Sequence, residues 1–453
     1  MTEWSPRTRA AGDGAAVQRP ATFAQEWWRL MRPAGCVTLA DNVPFAYRIR
    51  ARLDRRVVAR ALGVLIQRHA ALRTHVLSRG DAVVQVIRSD ATPDVTHETI
   101  AAGGSDALAA SLLAACREPI DSTLDVPIRA WLFSMSEDEH VLLFVVSHFV
   151  WDAHSLHVFE RDLFALLASP HGASAARLPP LRTDLARFAE WQRAWVESAA
   201  GRRRRAFWTG HLQGLDPTLG IPLIAERSSV VETRQDHVPF SISPRGVSEL
   251  RALASACNAS RFMVLFAAVV ALLRRVAFDR EVVASITSAN RHRLGARDVV
   301  GLLLNWIVFR AVVERRLTLR QLVARLQPVL LGAYAKSDVP IAQVARDLGR
   351  GLDLESRRTN PLWEVEVNYG VEGPVQLAGV AGIEVAREPI PVVMDTAPWD
   401  GALFILYLFD GGDSLSGSLR FNANVVERRM AEQLAADLVT LVEFALRDPD
   451  ARL

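Results

Sequence analysis

One histidine in this sequence lies where its side chain could act as a base. His148 follows the apolar run at 141–146, stands four residues before Asp152, and precedes residues whose apolar spacing is helical. This order predicts a buried strand, a short polar loop and a helix, with His148 near the positive end of the helix dipole. That end disfavours the imidazolium ion and keeps the ring neutral, as a general base requires. The exposed N–H groups of the same helix end could also stabilise an oxyanion.

The same pattern also fits a purely structural histidine. A His-x-x-x-Asp spacing is weakly specific by itself, and a core histidine that is satisfied by backbone groups would fit it equally well. His154 and His157 follow at positions that suit the surface of the helix, and we assign neither a role.

Hydrophobic spacing predicts the elements that hold this loop. Alternating residues at 128–134, an acidic turn at 137–139 and the apolar run at 141–146 predict a hairpin whose second strand is buried on both faces. Asp54 and Ser105 are predicted to cap two helices that precede the hairpin. Further helices are predicted at 188–212, 263–273 and 430–446, and further strands at 282–286, 306–312, 363–369 and 403–407. Strands and helices mix along the whole chain, which predicts an α/β fold.

Length and composition limit the class of protein. With 453 residues, of which 50% are hydrophobic and 23% charged, the chain predicts a globular protein of two or three lobes. The longest apolar run, at 263–273, is shorter than the roughly 18 residues that span a bilayer. Cys36, Cys116 and Cys257 are odd in number and far apart, which excludes a disulfide framework and an obvious zinc site. The N-terminus lacks the apolar segment of a signal peptide, so we expect a reducing, cytoplasmic setting.

The basic residues are almost all arginine. The net charge is +3, and Lys336 is the only lysine among 53 basic residues. The 50 acidic residues are interspersed, so the charge does not by itself indicate nucleic acid. The dense run at 202–205 fits either a solvated helix face or a contact for an acidic partner protein or a phosphorylated carrier.

Several ordered motifs carry a resemblance to a known family. The segment Ser-His-Phe-Val-Trp-Asp-Ala at 147–153 resembles the HHxxxDG motif of the condensation domains of non-ribosomal peptide synthetases. Five further stretches resemble the family's RHEALRT, yW…L, NR…vGxxxN, SRNPLF and FNY patterns: 68–74, 206–212, 289–291 with 301–305, 357–362 and 368–369. Because six ordered motifs are far more specific than one, the chain is identified as similar to this family from about residue 21 to its C-terminus.

The resemblance implies a fold that spacing alone does not reveal. Condensation domains are V-shaped pseudo-dimers of two lobes similar to chloramphenicol acetyltransferase, each with a central mixed sheet and flanking helices. Their active site lies in a tunnel between the lobes, which a carrier protein's phosphopantetheine arm enters from each face. For this chain we expect a mobile tail at 1–20, an N-terminal lobe at 21–175 and a C-terminal lobe at 176–453.

By the same resemblance, His148 is the catalytic residue. Asp152 is expected to point away from substrate and to brace the loop by pairing with an arginine, for which Arg73 is our candidate. Asn305 is expected to face the tunnel, and Asp395 lies in a region that crosses between the lobes in the family. Trp151 fits either core packing or the tunnel wall.

Two positions depart from the family motif. Ser147 replaces the first histidine and is expected to act as a smaller hydrogen-bonding support. Ala153 replaces the glycine, and its methyl group is expected to narrow the tunnel or to shift a backbone N–H near the reacting carbonyl. Both departures argue against ordinary peptide condensation at full rate but leave the capacity for the chemistry.

Together these features predict a free-standing condensation-type acyltransferase that joins a carrier-bound acyl thioester to an amine or a hydroxyl group. No adenylation domain and no GGHS-like pantetheine-attachment site are evident, so an acyl or peptidyl carrier protein is expected to act in trans. The acceptor is a small molecule or is itself carrier-bound. Two alternatives stay open: a catalytically silent recruitment domain, and an acyltransferase that uses coenzyme A or a carrier-bound acyl group to esterify a small alcohol.

No bound cofactor or metal is expected, because the substrate arrives on the phosphopantetheine arm of the carrier. We also expect a monomer that binds neither nucleic acid nor a membrane. The absence of a GxSxG stretch argues against a serine hydrolase.

Overall fold

The computed structural model describes most of the chain. The described residues are 16–32, 37–80, 82–101, 104–169, 178–215, 223–225, 232–276, 281–314, 316–351, 362–371, 384–390, 396–398 and 402–453. Cys36, Asp395 and most of the 357–362 motif lie outside them, as does the lobe boundary expected at 175–176.

Helices and strands mix along the described residues. The helices are α1 (Phe23–Leu30), α2 (Arg55–Arg68), α3 (Ser105–Cys116), α4 (Ala153–Leu167), α5 (Leu185–Glu197), α6 (Ala199–Leu212), α7 (Pro244–Ala256), α8 (Arg261–Val276), α9 (Leu319–Tyr334), α10 (Ile341–Asp347) and α11 (Arg428–Arg447). The strands are β1 (Val17–Pro20), β2 (Asn42–Arg50), β3 (Thr74–Arg79), β4 (Ala82–Ile87), β5 (Val95–Thr99), β6 (Ile128–Ser134), β7 (Glu139–Ser147), β8 (Glu232–Ile242), β9 (Glu281–Ser288), β10 (Asn305–Val312), β11 (Val365–Val371), β12 (Glu384–Glu388), β13 (Thr396–Pro398), β14 (Phe404–Asp410) and β15 (Leu415–Asn422).

Five of these strands form the mixed sheet that carries the end of β7. Their order is β12-β2-β7-β6-β5, with β5 parallel to β6 and the other neighbours antiparallel. The β6–β7 hairpin confirms the prediction. Phe144 and Val146 pack with residues of α2 and α4, whereas Leu143 and Val145 pack with residues of α3. Burial of each such side chain contributes about 1.5–3 kcal/mol, so both faces of β7 are strongly held.

Helix α2 fixes α4 behind this sheet. Asp54 caps α2 by accepting a hydrogen bond from the backbone N–H of Arg56, as predicted. At the other end, side chains of Arg68 and His69 lie 2.8 and 3.0 Å from the Asp162 carboxylate on α4. The predicted cap at Ser105 is wrong, because Gly104 is the capping residue of α3 and Ser105 is its first helical residue.

A larger mixed sheet lies in the C-terminal half. Its order is β10-β9-β11-β14-β15-β8-β13, with β11 parallel to both β9 and β14. Helix α8 is buried from 262 to 274, which confirms the predicted buried helix. Two mixed sheets with helices confirm the α/β fold class, and β1, β4 and β3 form a third, smaller sheet. Among the described residues no single helix is long and apolar enough to cross a membrane, although α7 and α8, bent by 104°, pass that test as a pair.

The chain does not divide cleanly into the expected segments. Val17–Pro20 pairs with β4, so the prediction of a mobile tail through residue 20 is wrong for these residues. Helix α1 packs with the C-terminal half through Trp27, whose ring centroid lies 4.3 Å from that of Trp363. Strand β12, from the C-terminal half, forms one edge of the five-stranded sheet.

Ion pairs fasten β12 to that sheet. Arg48 on β2 pairs with Glu388 at 2.7 Å, across a sequence separation of 340 residues. Arg387 pairs with Glu160 of α4 at 2.8 Å. Glu160 also accepts a hydrogen bond from the buried Tyr47 hydroxyl at 2.8 Å. The sheet that carries β7 is therefore completed by a distant part of the chain.

Candidate active site at the end of strand β7

His148 lies directly after β7, as the sequence predicts. The chain makes one short 3-10 turn at His148–Val150 and then enters α4, whose N-cap is Asp152. Phe149 and Val150 are buried in the core, whereas His148 is partly exposed. The buried neighbours anchor the turn and leave the imidazole as its accessible polar group.

The surroundings of His148 favour its neutral form. Burial lowers the pKa of His148, and the charge of Arg32 acts in the same direction. Its own backbone and the carboxylates of Asp41 and Asp152 raise that pKa, but by less. Nδ1 is buried, and no other residue in the described part of the chain hydrogen-bonds it. A neutral, partly exposed imidazole has the protonation state of a general base near pH 7.

Asp152 pairs with Arg291, so the prediction of Arg73 as its partner is wrong. Nη1 and Nη2 of Arg291 donate to Oδ2 and Oδ1 of Asp152 at 2.8 and 2.7 Å. Both side chains are almost completely buried. Arg73 instead donates to the backbone oxygen of Arg88 at 2.9 Å, because it directly precedes β3 in the small sheet.

The Asp152 carboxylate holds three further groups. Oδ1 accepts hydrogen bonds from N and Oγ of Ser155 at 3.1 and 2.9 Å, and Oδ2 accepts one from the backbone N–H of Leu303 at 3.0 Å. Burial raises the pKa of Asp152, but the charge of Arg291 and these hydrogen bonds lower it overall. The ionised carboxylate thus joins the His148 loop to residues 291–303, which supports the bracing role expected for Asp152.

The two positions that depart from the family motif have different surroundings. Ser147 is fully buried, and its Oγ has no hydrogen-bond partner among the described residues. Strand alternation directs its side chain to the face shared with Leu143 and Val145. Ser147 therefore gives His148 no hydrogen-bonded support, contrary to the expectation. Ala153 is the first residue of α4 and is exposed, so its methyl group does not pack in the core.

Trp151 belongs to the core. It is buried, and its ring stacks on that of Phe45 with centroids 5.3 Å apart and 12° between the planes. A second aromatic contact places Phe159 at 5.4 Å in an edge arrangement. Of the two interpretations left open by the sequence, the contacts favour core packing.

The side-chain amide of Asn305 is occupied by backbone groups. Nδ2 donates to the carbonyl oxygens of Ser337 and Val339 at 2.8 and 2.7 Å. Oδ1 accepts a hydrogen bond from the backbone N–H of Ile341 at 3.0 Å. The side chain of Asn305 therefore holds the 337–341 turn in place, and the expectation that Asn305 faces the tunnel stays a prediction.

Helix α1 is part of the site, although the sequence analysis did not point to it. Nε2 of Gln25 donates to the carbonyl oxygen of Phe149 at 3.0 Å, which holds the main chain beside His148. The ring centroid of Trp28 lies 4.3 Å from that of His148. One local signal was available, because Thr22 and Gln25 have the spacing of a capping box, which does form at the start of α1.

The basic run at 202–205 is divided between internal pairs and the surface. Arg204 pairs with buried Asp338, and Arg205 pairs with Asp347 at 2.7 Å. The other two arginines of the run are exposed. The run is therefore neither wholly a solvated helix face nor wholly available to a partner, because two of its four arginines pair with aspartates within the fold.

The two histidines on α4 lie near the surface. Nε2 of His154 is 2.9 Å from the carbonyl oxygen of Arg297, and exposed His157 is 4.0 Å from Glu160. Among the described residues, no group of three or more His, Cys, Asp or Glu side chains gathers as a metal site requires.

Comparison with protein families and curated proteins gives one consistent result. The condensation domain model matches residues 20–453. Phosphinothricin tripeptide synthetase PhsC of Streptomyces viridochromogenes is 27% identical over 412 residues, which are 90% of this chain and 37% of that protein. The dimodular nonribosomal peptide synthase of Bacillus subtilis is 30% identical over 446 residues, 96% of this chain and 18% of that protein. This chain thus spans well under half the length of these relatives.

Solved structures share the fold over nearly the whole chain. The X-domain from teicoplanin biosynthesis has a TM-score of 0.81 and 24% identity, and the match covers 99% of this chain and 98% of that one. The condensation domain of the monacolin K polyketide synthase MokA has a TM-score of 0.80 and 15% identity, with 96% and 99% covered. At these identities the likeness concerns the fold.

Proposed function

Because the chain belongs to the condensation domain family, we propose that it transfers an acyl group from a carrier protein's phosphopantetheine thioester to an amine or hydroxyl acceptor. The family acts on carrier-bound substrates in the assembly of natural products. The observation that carries the proposal is the neutral, partly exposed His148 imidazole at the end of a strand buried on both faces.

The proposed step needs a base and no covalent enzyme intermediate. As the acceptor nitrogen or oxygen attacks the thioester carbonyl, His148 accepts the acceptor's proton. The tetrahedral oxyanion then collapses, the C–S bond breaks, and the imidazolium returns the proton to the pantetheine sulfur. The products are an amide or ester and a free thiol. The backbone N–H groups of Ala153 and His154, at the start of α4, have no partner within the helix and are proposed to stabilise the oxyanion.

Asp152 is proposed to position the loop rather than to move protons. Its carboxylate is buried and is shared among Arg291, Ser155 and Leu303. Protonation of such a group would break a bidentate ion pair, which is costly in the interior. The proton therefore stays between His148, the acceptor and the leaving sulfur.

We further propose that the carrier protein binds through exposed arginines, including Arg202 and Arg203. Carrier proteins are usually acidic around the pantetheine serine, and the guanidinium group forms directional contacts with carboxylate and phosphate. The complex should weaken as salt shortens the screening length, which is about 8 Å at physiological ionic strength. Arg203→Glu should lower turnover with a carrier-bound donor but not with a small pantetheine thioester, and exposed Arg60 on α2 offers the matched control, Arg60→Glu. Equal loss with both donors would show that Arg203 supports the fold instead.

A second candidate is a recruitment domain that performs no acyl transfer. The change at Ser147 favours it, because the first histidine of the motif is replaced by a buried hydroxyl that has no partner among the described residues. The teicoplanin X-domain, solved in complex with OxyB, is a protein of this fold that binds a second protein.

Intact-protein mass spectrometry distinguishes the two candidates. A carrier protein loaded with an acyl group is incubated with the chain and a panel of amine and hydroxyl acceptors, with acyl-coenzyme A as a parallel donor. Loss of the acyl mass from the carrier, with product formed by the wild type and not by His148→Ala, supports acyl transfer through His148. A folded wild type that leaves every loaded carrier unchanged would refute the acyltransferase and favour recruitment.

A further inference from the structure

A tryptophan lies against the His148 ring and is itself held in place. The Trp28 and His148 centroids are 4.3 Å apart, with 32° between the ring planes. Nε1 of Trp28 donates to Oδ1 of Asp41 at 2.7 Å. Asp41 in turn accepts hydrogen bonds from Nε and Nη2 of Arg32 at 3.1 and 2.7 Å. The Arg32 guanidinium also lies 5.1 Å from the centre of the Trp28 ring, so the indole is fixed from two sides.

The support of this tryptophan is buried and tied to the main chain near His148. The side chains of Arg32 and Asp41 are 4% and 5% exposed. Arg32 follows the end of α1, and Asp41 precedes Asn42, which pairs with Ser147 in the β2–β7 register. The ion pair therefore connects α1 to the pair of strands that ends beside His148. A buried bidentate pair resists rearrangement, because separating it leaves uncompensated charges.

A base must be held in one orientation if its free nitrogen is to meet the acceptor's proton. In many enzymes a carboxylate or carbonyl bonded to Nδ1 supplies that orientation. Among the described residues no other residue bonds Nδ1 of His148, and Asp152 is occupied by Arg291. We propose that Trp28, supported by Asp41 and Arg32, is the positioning residue that orients His148 for acyl transfer. This inference rests on the acyltransferase function proposed above.

Removal of the indole has a predictable electrostatic result. Burial is the main cause of the lowered pKa of His148, so exposure of its ring to water should raise that pKa toward the ordinary value. The charged groups that act on His148 are Asp41, Asp152 and Arg32, and the Trp28 variants keep all three residues. A change of pKa in those variants therefore reports the loss of the ring.

Proton NMR of the folded protein tests the contact without an activity assay. His148→Ala identifies the imidazole C–H resonances by their loss. In Trp28→Leu these resonances should lose the ring-current shift caused by the indole and should titrate at higher pH than in the wild type. Trp28→Phe keeps a ring but not the bond to Asp41 and should give an intermediate result. Trp191→Leu is the control, because Trp191 is also partly buried and lies 5.5 Å from the ring of Phe188 on α5.

Rates then test whether the contact matters for the reaction. Trp28→Leu should lower kcat roughly 10- to 100-fold, as expected for a displaced reacting group, without a larger drop in Tm than Trp191→Leu. Unchanged His148 resonances in Trp28→Leu would overturn the proposal, and so would an equal loss of kcat in Trp191→Leu. Changed resonances together with a wild type that transfers no acyl group would instead refute the proposed function and leave the contact established.

Discussion

His148 and Asp152 stand four residues apart on one loop, yet their surroundings differ in almost every respect. Asp152 is buried and bonded to Arg291, Ser155 and Leu303. His148 is partly exposed, and within the described residues its Nδ1 receives no bond from another residue. The difference shows how one loop serves two purposes. Ionic contacts fix its C-terminal end, while at its N-terminal end Nδ1 of His148 has no hydrogen-bond partner among the described residues.

Removal of the imidazole should affect the rate and spare the fold. His148→Ala should lower acyl transfer roughly 100- to 10,000-fold, the range for loss of a general base. Its Tm should change little, because no other described residue bonds Nδ1. Turnover and thermal unfolding are measured on the same preparation, with His157→Ala on α4 as the matched control that keeps its rate. Turnover of His148→Ala within a few fold of the wild type would remove His148 from the chemistry.

Loss of the Asp152–Arg291 ion pair should mainly lower the stability of the fold. Asp152→Ala and Arg291→Ala should each cost about 3–5 kcal/mol of unfolding free energy, because each leaves a buried charge without its partner. In a double-mutant cycle the two losses should be strongly non-additive. Arg73→Ala combined with Asp152→Ala should give additive losses, since Arg73 bonds the backbone of Arg88. Additive losses for Asp152 and Arg291 would contradict the pairing.

Ser147 sharpens the comparison. Its side chain is buried like that of Asp152, but its Oγ, like Nδ1 of His148, has no hydrogen-bond partner among the described residues. Ser147→His restores the usual family motif but adds a ring at a fully buried position, and it should cost about 1–3 kcal/mol in urea unfolding and lower the rate. Ser147→Ala removes a hydroxyl that has no partner among the described residues and should leave the free energy of unfolding nearly unchanged. A stable and fully active Ser147→His would show that the sheet face can accommodate a ring.

Ala153→Gly, at an exposed position, should change stability by about 1 kcal/mol or less and broaden the choice of acceptor.

The pH dependence of the free energy of unfolding should distinguish His148 from Asp152, and it is the smallest of the expected effects. Because the pKa of His148 is lower in the folded protein than in the unfolded chain, the unfolded chain takes up a proton on this histidine at a higher pH. The free energy of unfolding should therefore decrease as pH falls through about 6.5. The lowered pKa of Asp152 gives a contribution that persists to about pH 4 and is lost below it. Between pH 7 and 5 the wild type should therefore lose stability relative to His148→Ala, while its advantage over Asp152→Ala holds. Relative stabilisation of the wild type over that interval would mean that folded His148 is protonated.

The sequence predicted the elements whose signal is local. The β6–β7 hairpin and the buried part of α8 follow from the spacing of apolar residues, and the cap of α2 follows from one aspartate. His148 was found in the same way, since a strand end, a polar loop and a helix start are adjacent in sequence. Each of these features is decided by interactions within a short stretch of chain.

The partners of the site residues could not be predicted in this way. Arg291 lies 139 residues from Asp152, and arginine supplies 52 of the 53 basic residues, so charge type did not distinguish it from Arg73. Arg291 did belong to a stretch that resembles a family motif, but the motif does not name its contact. The contact between the Trp28 and His148 rings has no periodic signal in the sequence, because it depends on how α1 approaches the end of β7.

The strand β12 has a consequence for how this protein can be divided. A fragment that ends before residue 384 would expose the backbone of β2 at residues 46–50, and open edges of this kind pair with other chains and aggregate. The same fragment would leave Arg48 without Glu388 and Glu160 without Arg387. The two halves are therefore unsuited to separate expression or exchange between related proteins. Chimeras should keep residues 42–50 and 384–388 from one parent, because these two strands pair directly with each other.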